Sequence, residues 1–166
     1  MQVSPIRNSC GKCPIAVSEL RLEVFLPYRL SKIAMAVSRR FKEVYGKQFE
    51  LSIPEWRVLA TIAQFQSISA KEIVKHSDMH KTKVSRSIAK LERRRWLKRE
   101  KNQLNRREEI LTLTLSGRQN YKKLVPRMRA LEEELLGLLG SDASAIDALM
   151  NRLEQVLLDS RRVSGS

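Results

Sequence analysis

Apolar residues recur at intervals of three and four along most of this chain, and alternate only in one short region. Leu30, Ile33, Ala34, Val37, Phe41 and Val44 form a helical stripe between Glu19 and Tyr45, with Pro27 suited to a first turn and Gly46 to a stop. Ser52-Ile-Pro-Glu55 is a capping box with proline in its first turn. The helix it opens, to about Gln64, carries Leu59, Ala60, Ile62 and Ala63, with Trp56 as a core anchor. Ser69-Ala-Lys-Glu72 is a second capping box, opening a short helix that His76-Ser77-Asp78 breaks. The next helix runs from near His80 to about Arg95 and places Val84, Ile88 and Leu91 on one face. Stepping about 100° per residue from Val84, Thr82, Arg86, Lys90 and Arg93 point away from that face, with Lys83 close to them. Two helices joined by so short a turn, the second amphipathic and basic, predict a helix-turn-helix.

Leu97–Lys101 and Glu109–Leu113 then read as two strands around the polar turn Asn102–Arg107, a hairpin placed as a wing. With no glycine between Gly46 and Gly117, Asn102 and Asn105 are the residues best able to take positive φ in that turn. Thr114 caps a helix to about Leu139 with a stripe from Tyr121 to Leu139, an expected kink at Pro126 and an end at Gly140. Ser141 or Asp142 caps a last helix carrying Ile146, Leu149, Leu153, Val156 and Leu157. These leucine-rich stripes, with the first helix, exceed what a small winged domain needs to cover, which predicts a helical dimer interface. The expected fold class is mainly α with a small β wing. A winged helix-turn-helix domain over 51–114 is flanked by a helical dimerisation region over 19–50 and 115–160, and a flexible arm covers 1–18.

Charge narrows the choice of partner. The 166 residues carry a formal net charge of +14, and the stretch from Ser69 to Arg107 holds 14 Lys or Arg against 4 Asp or Glu. A basic, patterned segment of this kind points to nucleic acid. Arg106 and Arg107 at the wing tip suit a narrow, electronegative minor groove. Lys71 and the cations around the recognition helix, among them Lys75, Arg93, Arg94, Arg95 and Lys98, would supply backbone affinity. Base readout would come mainly from Thr82, Lys83 and Arg86. Sequence-specific binding of double-stranded DNA and non-specific architectural binding of DNA or RNA both fit the charge alone.

Other classes find less support. No apolar run approaches the roughly 20 residues of a membrane span, and the N-terminus lacks the apolar core of a signal peptide, so a cytoplasmic, membrane-free protein is expected. Cys10 and Cys13 are the only cysteines. Their C-x-x-C spacing suits half a zinc site or a redox pair, but the only histidines, His76 and His80, are far off in sequence, and two reduced thiols in an arm are the simpler reading. Thiol-oxidation sensing through Cys10 and Cys13 stands as an alternative form of regulation. Clustered carboxylates, a phosphate-binding glycine loop and a spaced nucleophile–base pair are all missing, so neither an enzyme nor a cofactor or metal is expected.

The stretches LSIPEWRVLATIA (51–63), ISAKEIVKHSDMHKTKVSRSIAKLERRRWLKRE (68–100) and NRREEILTLTLSG (105–117) together resemble the MarR family of bacterial transcription regulators, over about residues 20–160. The resemblance implies a winged helix-turn-helix homodimer on a pseudo-palindromic operator, often a repressor relieved by a small, often phenolic, ligand or by an oxidant. By position it places Lys81, Thr82, Lys83, Ser85 and Arg86 on the DNA-reading part of the helix and Arg107 at the wing arginine. Ser69, Lys71, Lys90, Asn105 and Arg106 complete the expected DNA face. An effector pocket near the first, second and fifth helices would be lined by Lys32, Ala36, Leu59 and Ala63. Two positions depart from the family pattern: Asn105 stands where an aspartate usually holds the wing arginine, and His80 where an aspartate usually caps the recognition helix.

Overall fold

A computed structural model of the chain describes residues 20–101 and 109–163. Cys10, Cys13 and the wing tip from Asn102 to Arg107 lie outside the described residues. The elements run α1 (Leu26–Phe49), α2 (Ile53–Phe65), β1 (Ile68–Ser69), α3 (Ala70–Ser77), α4 (Lys81–Arg93), β2 (Leu97–Lys101), β3 (Glu109–Leu113), α5 (Leu115–Gly137) and, after a 3-10 turn at Gly140–Asp142, α6 (Ala143–Val163). This is the mainly helical architecture with a small antiparallel sheet that the hydrophobic pattern predicts.

The chain divides into two compact units, residues 1–37 and residues 38–166. In the first, a turn leads into α1, and Leu20, Val24, Leu26 and Ile33 are all more than half exposed. The second unit holds the core. Its centre is α2, which contacts α3, α4, α5 and β3. Val58, Leu59 and Ile62 of α2 close on Ile73 of α3 and on Val84, Ile88 and Leu91 of α4. Leu97, Leu111 and Leu113 seal the sheet side, and Tyr45, Phe49 and Leu124 bring α1 and α5 into the same cluster. The core therefore draws on residues outside 51–114.

Both capping boxes form. Ser52 and Ser69 each accept a hydrogen bond from the backbone N–H three residues on, while Glu55 and Glu72 reach back to the cap N–H. Trp56 is an anchor as expected: its ring stacks between Tyr45 at 5.5 Å and Tyr121 at 6.0 Å, joining α1, α2 and α5. Burial there pushes the Tyr45 phenol up to about 12, against the opposing charge of Arg57.

Two features differ from expectation. Gly46 does not end α1; the helix continues to Phe49 and stops at Glu50, whose φ is 50°. Glycine inside a helix costs about 1 kcal/mol, and burying the Phe49 ring, edge-on to Trp96 at 6.4 Å, returns about 1.5–3 kcal/mol. The sheet also has three strands rather than two, in the order β1-β3-β2, all antiparallel. Ile68 pairs with Leu111 and Leu97 with Leu113; a two-residue strand is too short to show alternation.

Helix α5 starts where backbone comes closest to backbone. Thr114 caps it by accepting from the Gly117 N–H at 3.1 Å, and its hydroxyl donates to the Arg95 carbonyl at 2.6 Å. The Thr114 N–H donates to the Trp96 carbonyl at 3.0 Å. A Cβ at Gly117 would stand 1.9 Å from that Trp96 oxygen. Gly117→Ala is therefore expected to destabilise the protein by about 1–3 kcal/mol or more, the range for overpacking, read as a lowered urea midpoint; an unchanged midpoint would disprove this account of the α5 start.

Candidate nucleic-acid interface

Helix α4 has one narrow apolar face, and that face is spent on the core: Val84, Ile88 and Leu91 are at most 1 % exposed. Ser87 completes the buried side by donating to the Lys83 carbonyl at 2.8 Å. Lys81, Thr82, Lys83, Ser85, Arg86 and Lys90 are all exposed, as are Lys71 and Lys75 on α3. His80 does cap α4, its Nδ1 accepting from the Thr82 N–H at 3.3 Å. The turn before it is closed by Asp78 in the left-handed region, φ 51°. His76 sets its ring edge-on to Phe65 at 4.9 Å. Among the described residues no group of three or more His, Cys, Asp or Glu is placed to hold a metal ion, and no helix is long and apolar enough to cross a membrane.

Ser69 is 5 % exposed and serves as the α3 cap; its hydroxyl also donates to Glu72 at 2.8 Å. The backbone N–H and hydroxyl of Ser69 hold the Glu72 carboxyl below its ordinary value. Ser69 thus shapes the entry to the helix-turn-helix rather than presenting a free group. Asn105, Arg106 and Arg107 lie outside the described residues.

Several cations of the basic run are committed within the protein. Lys90 Nζ sits 2.9 Å from Glu55 Oε1, whose side chain is 4 % exposed. Burial pushes the Glu55 carboxyl up, but the Ser52 backbone N–H and then Lys90 outweigh it and hold the carboxyl below its ordinary value. Arg94 donates to the carbonyls of Phe49 at 2.6 Å and Glu50 at 3.0 Å, so it satisfies the open end of α1. Its guanidinium also lies 5.6 Å from the Trp96 ring. Arg99 bridges Glu109 at 2.8 Å and Glu92 at 3.1 Å, which raises its pKa chiefly through Glu109 and ties the root of the wing to α4. Lys98 is paired with Glu100. Sequence spacing offers no signal for these long-range partners: Lys90 and Glu55 stand on different helices, and Arg94 binds backbone oxygens.

The residues expected to line an effector pocket fall in both units, Lys32 and Ala36 in the first and Leu59 and Ala63 in the second. Leu59 is 0 % exposed and belongs to the core, because the α2 face that carries it is covered by α4 and the sheet. Ala63 borders a groove of about 300 Å3 on the second unit, with Gln66, Leu113, Arg118, Tyr121 and Lys122. Lys32 and Ala36 are exposed on the first unit, where Lys32 Nζ lies 5.6 Å from the Tyr28 ring.

A short helix, a tight turn, an outward-facing basic helix and a strand pair behind it define a winged helix-turn-helix protein. Residues 51–108 match the MarR family model. An uncharacterised HTH-type transcriptional regulator of Bacillus subtilis, YwoH, is 26% identical over 111 residues, covering 67% of this chain and 80% of its own. A MarR family regulator from Silicibacter pomeroyi DSS-3 superposes with a TM-score of 0.73 at 28% identity, over 84% of this chain and 99% of the other. BpsR of Bordetella bronchiseptica, whose DNA binding is regulated by 6-hydroxynicotinic acid, shares the fold with a TM-score of 0.71 at 20% identity, over 82% of this chain and 98% of its own. Over residues 51–108 the chain is similar to the MarR family of transcriptional regulators, and it shares their fold.

The Glu55 environment sets an acid dependence. Its carboxyl is held below the ordinary value in the folded state only, so its contribution to stability is complete above the unfolded value of about 4.3 and is lost as pH falls through the lower folded one. Urea midpoints taken from pH 7 down to 3 should fall less steeply in Glu55→Gln than in the wild type; parallel curves would contradict the assignment.

Proposed function

We propose that this protein is a homodimeric, sequence-specific binder of double-stranded DNA that acts as a repressor and is released by a small anionic aromatic ligand. The observation that carries the DNA reading is the outer face of α4, where Thr82, Lys83 and Arg86 are exposed and have no ion pair among the described residues. Arg86 sits centrally on that face and is suited to a bidentate contact with a guanine edge. Lys71, Lys81 and Ser85 flank it and serve the phosphates, with Asn105, Arg106 and Arg107 joining them by the sequence reading. A pseudo-palindromic operator follows if two copies bind together. Pairing is supported by apolar side chains left on the surface of each unit: Val24, Leu26 and Ile33 in the first, Leu149, Met150 and Val156 in the second.

Selection of bound duplexes from a random pool should enrich a dyad-symmetric site that random DNA competes for poorly; equal competition would leave only non-specific binding. On the selected duplex, Arg86→Ala should lose about 1–3 kcal/mol of affinity with the oligomeric state unchanged. Normal binding by that variant would show that Arg86 does not read bases.

For the effector, the groove beside Ala63 combines an apolar floor of Ile62 and Leu113, the Tyr121 ring, and two cations one turn apart on α5, Arg118 and Lys122. That chemistry suits a flat ring bearing a carboxylate or phenolate. Hydroxybenzoates at millimolar concentration should release the wild type from its selected duplex and act much more weakly on Arg118→Ala. Equal release of both proteins would move the effector elsewhere.

A further inference from the structure

The last turn of α4 and the chain just beyond it face a polar cleft of about 370 Å3, lined by Glu50, Glu55, Lys90, Arg93 and Arg94. Two cations cross it in opposite roles to those their sequence position suggests. Lys90 reaches the nearly buried Glu55 at the start of α2, and Arg94 reaches the last carbonyls of α1. Glu55 is a single carboxylate with two duties: it closes the α2 capping box on the Ser52 N–H at 3.0 Å and receives Lys90 at 2.9 Å. Core packing alone fixes which face of α4 is buried, yet aliphatic contacts are non-directional and leave the helix free to slide by fractions of a turn. Charged contacts at the α4 end are directional, and Lys90 makes its contact from a position about 40° around the helix from Arg86.

We propose that Glu55, Lys90 and Arg94 are positioning residues that fasten the end of the recognition helix to α2 and α1, so that Lys90 and Arg94 set the seat of Arg86 instead of binding phosphate. This rests on α4 being the DNA-reading helix. It makes Glu55 a determinant of DNA binding although its carboxylate is itself a poor neighbour for DNA. A charge count of the basic run then overstates the phosphate contacts, since each committed cation releases no counterion when DNA binds.

The two roles of Lys90 separate experimentally. Affinity for a 30-base-pair random duplex is measured across a series of salt concentrations for the wild type, Lys90→Met and Lys90→Arg, together with thermal melting. A phosphate-binding lysine contributes about 0.9 to the slope of log K against log salt. The positioning role predicts an unchanged slope, a Tm lowered by about 2–6 °C for Lys90→Met, and recovery of Tm in Lys90→Arg, whose guanidinium can still reach Glu55. A slope reduced by about 0.9 with Tm unchanged overturns the proposal. Melting of Lys90→Met, Glu55→Gln and the double variant supplies a readout that needs no DNA: non-additive shifts support the tether, and additive shifts overturn it. Should the wild type fail to bind duplex DNA at all, the nucleic-acid reading fails, while the same cycle still decides whether Glu55 and Lys90 are coupled.

Discussion

The structure depends on the burial of three aliphatic side chains from one helix. Val84, Ile88 and Leu91 are the whole apolar face of α4, and each contributes about 1.5–3 kcal/mol when removed from water. They meet α2, which is itself closed on its other sides by α3, α5 and β3. With so narrow a stripe the helix has one face it can bury, and the residues a half-turn away face solvent. The outward display of Thr82 and Arg86 is thus a consequence of core packing.

Charge in the basic segment divides into two populations. One set stands exposed without an ion pair among the described residues: Lys71, Lys81, Lys83 and Arg86. The other is engaged internally, with Lys90 on Glu55, Arg94 on the α1 carbonyls and Arg99 between Glu92 and Glu109. The second population surrounds the first. Glu92 and Arg99 hold α4 to the wing root on one flank, and Lys90 and Arg94 hold it to α2 and α1 on the other. The exposed basic face of α4 is thereby bordered by Glu55, Glu92 and Glu109, each paired with a cation of the protein.

The helix ends show a related economy. Glu50, Gln66, Asp78 and Arg95 take positive φ where α1, α2, α3 and α4 finish, although none is glycine. Left-handed backbone costs such residues about 1–2 kcal/mol. At two of these ends a side chain or carbonyl is held in return: the Glu50 carbonyl receives Arg94 and the Arg95 carbonyl receives Thr114. Gly46, expected to stop α1, lies within it, because Phe49 three residues on belongs to the core.

Local sequence determined most of the fold. The capping boxes at Ser52 and Ser69, the Thr114 cap and the 3.6-residue stripes depend on contacts within a few residues, and they are legible for that reason; the strands at Leu97 and Glu109 are legible as two short segments around one polar turn. The exposed face of α4 was equally legible, because an apolar stripe names its own opposite. Tertiary structure alone decided which cations remain available. Lys90 and Arg86 both lie on the polar side of one helix and differ only in whether another helix brings a carboxylate within reach. Leu59 passed from expected ligand contact to core for the same reason, since a covered leucine and a pocket-lining leucine have the same spacing. The basic segment specified a helix with one exposed basic face; the surrounding elements decided which of its neighbouring cations are paired within the protein.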